Sequence, residues 1–423
     1  MKKRYFPLLL SLLLLTACGA PEQLLPSPPA GTPVEEDAPA SPEDVPAAPE
    51  DVSASPEDAS TSPEDAPTSP EDVPTAPEER FPMTAEAEAL LAGMTLEEKV
   101  GQLFFLRCTA FSRQTEIIRT YHPGGVLLFT SDYRDDAGEW LTRDALTDRL
   151  AQFQSASAVP LFIGSDEEGG TVTRASRNPN LFSAKLPSPQ ELYKAGGMKG
   201  LLTDTLQYND ALRALGVNVN FAPVCDVTSG EGQFLYERSF GQGAAETADY
   251  VSQVVGVMNA AGIGATLKQF PGYGDNVDTH TGIAVDDRPF SRFEQEDFLP
   301  FSAGIGAGAP FVMVSHNVVR CMDDALPASL SPVVHGVLRG TLGFEGVILT
   351  DDLDMGAVKA YADSGRIARL ALAAGNDMIV CSDLSQIDDL IAAVREGEIA
   401  ESEIDEHCAR ILCVKAALGL LEG

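Results

Sequence analysis

Residues 346–352 read GVILTDD: a glycine, the unbroken run Val347-Ile348-Leu349-Thr350, and then two acids. A strand with one wet face alternates apolar and polar side chains, whereas an unbroken run marks a strand covered on both faces, as in a parallel sheet flanked by helices. The same signature recurs in GQLFFL, GGVLLF, PLFIGSD, VNVNFAPVCD, GATLKQF, PFVMVSH and NDMIVCS, with helix-patterned sequence between the runs. Eight doubly buried strands between residues 81 and 423 predict a single (β/α)8 barrel of the TIM type. A doubly wound open sheet is the alternative. It calls for a glycine-rich phosphate turn after an early strand, and neither GxGxxG nor a Walker pattern is present there.

In such barrels the reactive groups gather at the C-terminal strand ends. Asp166 closes PLFIGSD, Lys268 and Gln269 fall at the end of GATLKQF, His316 closes PFVMVSH, and Asp351 follows GVILT. One polar residue after a strand serves equally well as a helix cap; several converging on one rim point to a site. Asp351, the first acid after its strand, is expected to face the barrel mouth, where a carboxylate can attack a sugar's anomeric carbon and form a covalent intermediate. Asp352 or Asp354 could equally supply the cap. The stretch KQFPGYGDNVDTH, residues 268–280, adds Asp278-Thr279-His280, a histidine with a carboxylate two residues away that can fix its tautomer and stabilise its protonated form. Metal ligation by Asp275, Asp278 and His280 is the rival use, but a catalytic zinc or iron site usually wants more histidine than His122, His316, His335 and His407 plausibly bring together. No GxSxG elbow supports a serine hydrolase.

The N-terminal part reads differently. MKKRYFPLLLSLLLLTACGA is a short basic head, a leucine-rich core and a small-residue site ending at Cys18, the pattern of an export signal. LTAC resembles the bacterial lipobox, which implies cleavage after residue 17 and lipidation of Cys18. From Ser41 a seven-residue Pro-Glu-Asp repeat follows, and residues 18–79 hold 16 acids and no Lys or Arg. Proline in every unit and the lack of an apolar seam exclude a coiled coil; residues 18–80 are expected to be an extended, self-repelling stalk. The chain carries a net charge of −34, which disfavours nucleic acid as a partner. The six cysteines beyond Cys18 form no CxxC and are expected as buried free thiols.

The order and spacing of MTLEEKVGQLFF, SDEEGGTVTR, NFAPVCDV, ERSFG, KQFPGYGDNVDTH, PASLSP, GVILTDDLDM and AAGNDM resemble the bacterial β-N-acetylglucosaminidases of glycoside hydrolase family 3. The resemblance implies a retaining hydrolase with no metal or other cofactor. Its nucleophile would match Asp351, and its acid/base, on a mobile loop, would match His280 with Asp278 as partner. Sugar hydroxyls would be held by Asp166, Arg174, Arg238 and Lys268. Where the family writes K-H-F-P-G-H-G, this chain has Lys268-Gln269-Phe270-Pro271-Gly272-Tyr273-Gly274, so Gln269 would meet the sugar without charge. Gly272 and Gly274 are expected to lend the loop its flexibility. The chain after Asp351 is long enough to close a barrel, as in single-domain members.

The expected substrate is therefore terminal β-linked N-acetylglucosamine on peptidoglycan fragments or other amino-sugar glycans, cleaved by a monomer anchored by lipid outside the cytoplasm. A phosphorylase using the same residues, another sugar specificity, and a wall-sugar-binding lipoprotein without turnover are the alternatives.

Overall fold

The computed structural model describes residues 79–422 apart from 229, 275, 277–282, 360 and 362–365. Its strands are β1 (Phe104–Arg107), β2 (Gly125–Leu128), β3 (Phe162–Ser165), β4 (Val219–Asn220), β5 (Gly264–Phe270), β6 (Val285–Asp286), β7 (Phe311–Val314), β8 (Val318–Val319), β9 (Val347–Thr350) and β10 (Ile379–Cys381). Eight of them form one parallel sheet in the order β10-β1-β2-β3-β4-β5-β7-β9. A parallel bridge between Leu349 and Met378 brings its two ends together, so the sheet curls into the expected barrel. Each of the eight apolar runs supplies one of these strands. The short pair β6 and β8 lies apart from the barrel sheet, with Val285 opposite Val318.

Helices fill the crossovers, as right-handed parallel connections require. Their ends are written locally. The helix Pro189–Leu215 starts at Ser188, whose hydroxyl accepts the Glu191 N–H while the Glu191 carboxylate accepts the Ser188 N–H, and it stops at Gly216 in the left-handed region at φ 98°. Leu96–Gln102 begins with the same reciprocal cap between Thr95 and Glu98, which accounts for TLEE in the sequence.

The barrel interior is packed with rings. Phe105 of β1 meets Phe162 of β3 at 6.3 Å between centroids, and Phe162 meets Phe311 of β7 at 5.1 Å. Contact between non-adjacent strands places these side chains inside, and a Cβ on Gly164 would lie 2.8 Å from the Phe105 ring, so glycine there makes the room.

Below the rings, at the N-terminal strand ends, two buried polar clusters close the floor. Asp377 accepts hydrogen bonds from Arg339 Nη2 (2.5 Å), Ile348 N (2.8 Å), His407 Nδ1 (2.8 Å) and Arg410 Nη1 (2.8 Å). Lys415, fully buried, donates to Gln102 Oε1 at 2.6 Å beneath the Phe162 ring. No helix among the described residues is long and apolar enough to cross a membrane.

Candidate active site

At the opposite, C-terminal end of the strands lies a cavity of about 480 Å³. Asp166, Arg174, Arg238, Lys268, Gln269 and Asp351, six residues singled out from the sequence, all line it. They arrive from four different strand ends or the loops that follow: Asp166 and Arg174 after β3, Arg238 after β4, Lys268 and Gln269 within β5, and Asp351 after β9. Asp278, His280 and Cys18 lie outside the described residues, as does Asp275.

The polar floor of the cavity is an ionic chain. Lys268 Nζ donates to Asp166 Oδ1 (2.8 Å) and lies 2.6 Å from Glu168 Oε1. Arg238 grips Glu168 with both arms of its fork, Nε to Oε2 at 2.9 Å and Nη2 to Oε1 at 2.8 Å. Arg174 Nη2 reaches Asp166 Oδ2 at 3.4 Å. Burial by itself would push the Asp166 carboxyl up, but the charges of Lys268 and Arg174 outweigh it and hold Asp166 below the usual carboxylate range. For Glu168 the same contest is won by Arg238 and Lys268. Burial would lower Lys268, and Asp166 with Glu168 reverses the sign, so the ammonium stays charged. A buried ion network of this kind presents fixed donors and acceptors to sugar hydroxyls with little reorganisation.

Asp351 and Asp352 are chemically distinct despite being neighbours. Asp352 Oδ2 takes Arg107 Nη1 at 3.0 Å and its Oδ1 takes the Asp354 N–H at 2.9 Å. Burial, with Asp354 and Asp351 adding to it, pushes Asp352 up to about 6 against the pull of that N–H and of Arg107. Asp351 Oδ1 accepts the Asp352 N–H at 2.8 Å, its one side-chain hydrogen bond among the described residues. Asp352 is thus committed to the turn that follows β9, and Asp351 keeps lone pairs for the cavity.

His316 and Glu167, two further titratable residues near the barrel mouth, are tied up in structure. His316 is buried with Nδ1 2.7 Å from Ser329 Oγ and Nε2 3.0 Å from the Asp352 carbonyl oxygen. Glu167 accepts the backbone N–H groups of Arg174, Ala175 and Ser176, fixing the turn that delivers Arg174.

Gln269 has a second set of partners besides the cavity. Its amide fits with nitrogen toward Asp226 Oδ2 (2.6 Å) and oxygen toward Arg238 Nη2 (2.9 Å). Asp226 also accepts the N–H groups of Gln269 (3.0 Å) and Tyr273 (2.6 Å), and burial carries it up to about 6 in spite of these bonds. Gly272 and Gly274, expected as sources of flexibility, have a packing role. A Cβ on Gly272 would lie 2.2 Å from Asp297 Oδ1, and one on Gly274 would lie 2.6 Å from the Arg288 guanidinium carbon. Both adopt positive φ, 122° and 55°, against a wall that no side chain could share.

Glu168 and the aromatic walls Phe129 and Phe234 also line the cavity, and Asp226 and Arg107 back it, none of them expected from the sequence. Asp226 ends the run FAPVCD and obeys the strand-end rule that found Asp166. Arg107 closes β1 and stacks over Phe129 at 4.5 Å, a contact visible only once β1 and β2 are side by side.

The chain is similar to known proteins. A "Beta-hexosaminidase" of Xylella fastidiosa (strain M12) is 33% identical over 296 residues, covering 68% of this chain and 84% of that protein. A glycoside hydrolase family 3 beta-N-acetylglucosaminidase from Paenibacillus sp. str. FPU-7 superposes with a TM-score of 0.71 at 31% identity, over 78% of this chain and 63% of the other. A Beta-N-acetylhexosaminidase from Beutenbergia cavernae DSM 12333 superposes with a TM-score of 0.67 at 28% identity, over 77% of this chain and 99% of its own. Residues 95–414 match the Glycosyl hydrolase family 3 N terminal domain, an interval that runs from the cap of the helix before β1 to the last helix of the barrel. The chain belongs to glycosyl hydrolase family 3.

Proposed function

We propose that this glycoside hydrolase is a retaining exo-β-N-acetylglucosaminidase that removes terminal N-acetylglucosamine from peptidoglycan-derived glycans through a glycosyl-aspartate. The relatives' names, a hexosaminidase, a beta-N-acetylglucosaminidase and a beta-N-acetylhexosaminidase, support the sugar class. The observation that carries the mechanism is the unequal commitment of the two acids after β9. Both acids line the cavity, but Asp352 is bound by a guanidinium and a backbone N–H, while the Asp351 side chain accepts one hydrogen bond among the described residues. A nucleophile needs a carboxylate with an uncommitted lone pair, and Asp351 meets that description.

In this reading the sugar ring lies over the ionic floor, its hydroxyls held by Asp166, Lys268, Arg174 and Arg238. Asp351 attacks the anomeric carbon from one face while His280, supported by Asp278, protonates the departing oxygen, and the same histidine then removes a proton from the incoming water. The export signal and the Pro-Glu-Asp repeat lead to a lipid-anchored, extracytoplasmic location, with the stalk giving the barrel reach into a polymeric substrate. Assaying the protein on chromogenic β-glycosides of N-acetylglucosamine, glucose and xylose tests the sugar assignment. N-acetylglucosaminide should be turned over with the highest kcat/KM; equal or faster turnover of the glucoside or xyloside would contradict it. Faster release in phosphate than in an inert buffer would make the enzyme a phosphorylase instead.

A further inference from the structure

Gln269 lines the cavity, yet both ends of its amide have protein partners. The nitrogen donates to Asp226 Oδ2 at 2.6 Å and the oxygen accepts from Arg238 Nη2 at 2.9 Å. In the reverse orientation the oxygen would face only acceptors and the nitrogen only donors. Gln269 is 5% exposed and Asp226 1%, so water is not at hand to replace these bonds.

The direction of the amide is dictated from the Asp226 side. Asp226 Oδ2 also accepts the Gln269 backbone N–H (3.0 Å) and Oδ1 accepts the Tyr273 N–H (2.6 Å), so the carboxyl group is anchored on the chain that leaves β5. An acceptor held there requires Gln269 to offer it the nitrogen, and that turns the oxygen toward Arg238. Arg238 meanwhile gives Nε and Nη2 to Glu168, at 2.9 and 2.8 Å. Glu168 is shared with Lys268, which lies 2.6 Å from the same Oε1, so its hold on the fork is not exclusive. The Gln269 oxygen is the second point of attachment, and it stops the guanidinium from pivoting about Glu168. Because the fork is planar and rigid, fixing two of its nitrogens fixes the third. None of these bonds uses Nη1, and Arg238 lines the cavity.

We propose that Asp226 and Gln269 are positioning residues for substrate binding: Asp226 sets the direction of the Gln269 amide, the amide oxygen braces the Arg238 fork, and the braced fork offers Nη1 to one hydroxyl of the sugar. The inference rests on the reading that Arg238 holds a sugar hydroxyl. It makes Gln269 a support for that arginine, where the sequence suggested a direct sugar contact.

The test uses the nitrophenyl β-N-acetylglucosaminide and its 3-deoxy, 4-deoxy and 6-deoxy analogues, with kcat/KM measured for the wild-type enzyme and three variants. Arg238→Lys keeps the charge and loses the fork, and so identifies the hydroxyl that the guanidinium serves. Gln269→Met removes both amide bonds at similar volume. Asp226→Asn leaves one oxygen for three N–H donors. Thermal unfolding is followed in parallel, and Gln269→Met carries the test if Asp226→Asn does not fold. Arg238→Lys should lower kcat/KM on the parent glycoside on the order of 10-fold to 10²-fold and lose most of that penalty on one deoxy analogue. Gln269→Met and Asp226→Asn should show smaller penalties that vanish on the same analogue. Unchanged kcat/KM in both, or losses spread evenly over the four substrates while Arg238→Lys stays selective, would overturn the inference alone, since a general packing defect has no preference among hydroxyls. A Gln269→Met penalty that vanishes on a different analogue would make Gln269 a sugar ligand and overturn it as well. An even loss in Arg238→Lys would overturn the sugar contact assigned to Arg238, and this inference with it.

Discussion

At the barrel mouth, Lys268 and Arg238 share Glu168, and Asp351 lines the cavity with a single side-chain hydrogen bond among the described residues. At the floor, Asp377 spends both oxygens on four protein donors, and Lys415 has its ammonium under a ring with one amide oxygen beside it. Both ends of the barrel bury charge, so burial and charge do not by themselves mark a reactive site. Spare hydrogen-bonding capacity facing a cavity does, because a saturated carboxylate has no lone pair to offer a substrate.

The contrast is sharpest if one acid is changed at each end. Asp351→Asn should lower kcat by several orders of magnitude with the thermal midpoint unchanged, since the substitution keeps the shape and removes the proposed nucleophile. Asp377→Ala should do the reverse. Removing one partner from a buried ion cluster should cost about 3 kcal/mol in urea unfolding, while kcat per folded molecule stays the same. A large kcat loss in folded Asp377→Ala would erase the distinction between mouth and floor.

Lys415 sharpens it further through pH. Burial lowers its pKa to about 7, below the value near 10.4 of an unfolded lysine. The unfolded chain therefore binds more protons between about pH 7 and 10, so the lysine's cost to stability shrinks as pH rises across that window and is constant below it. Lys415→Met should raise the melting temperature by several degrees near neutrality, and the advantage should shrink toward pH 10 in a series of melts. A gain independent of pH would show that the ammonium is not desolvated.

Gln269→His is a smaller perturbation of the mouth. A protonated imidazole between Asp226 and Arg238 would favour the Asp226 carboxylate, lowering a pKa now near 6, so the acidic limb of the rate profile should move to lower pH by less than one unit. An unmoved limb would separate Asp226 from activity. The smallest expected effect belongs to the proposed stalk. Deleting three of its seven-residue units should leave kcat/KM on soluble glycosides unchanged and reduce turnover of intact wall, because a coil of that composition would hold the barrel about 40 to 50 Å from the lipid. Equal losses on both substrates would mean that the repeat packs on the barrel.

Much of this architecture was legible beforehand, for a physical reason. A strand covered on both faces has to be apolar throughout, so GVILT, PLFIGS and FVMV declare themselves, and the strand-end rule then picks out Asp166, Lys268 and Asp351. Asp226 was equally accessible to that rule. Glu168 was harder to find, because in SDEEGG three consecutive acids differ only in which way the turn aims them: Asp166 at Lys268 and Arg174, Glu167 at backbone N–H groups, and Glu168 at Lys268 and Arg238. The cluster in which Arg288 binds Gly272, Asp286 and Asp297 could not be read at all, since these residues meet only in the folded chain. Glycine is ambiguous by nature; it permits motion and it permits close packing, and at Gly272 and Gly274 the neighbours decide for packing.

The most direct test is to trap the proposed covalent intermediate. A mechanism-based fluorinated β-glycoside, incubated with the enzyme and followed by proteolysis and mass spectrometry, should place the sugar on Asp351 of the LTDDLDM peptide, with Asp351→Asn unlabelled. Labelling of Asp352 or Asp354 would contradict the account, because both are committed to Arg107 and the turn in the arrangement described, and the reactive carboxylate of the barrel mouth would then be a different one.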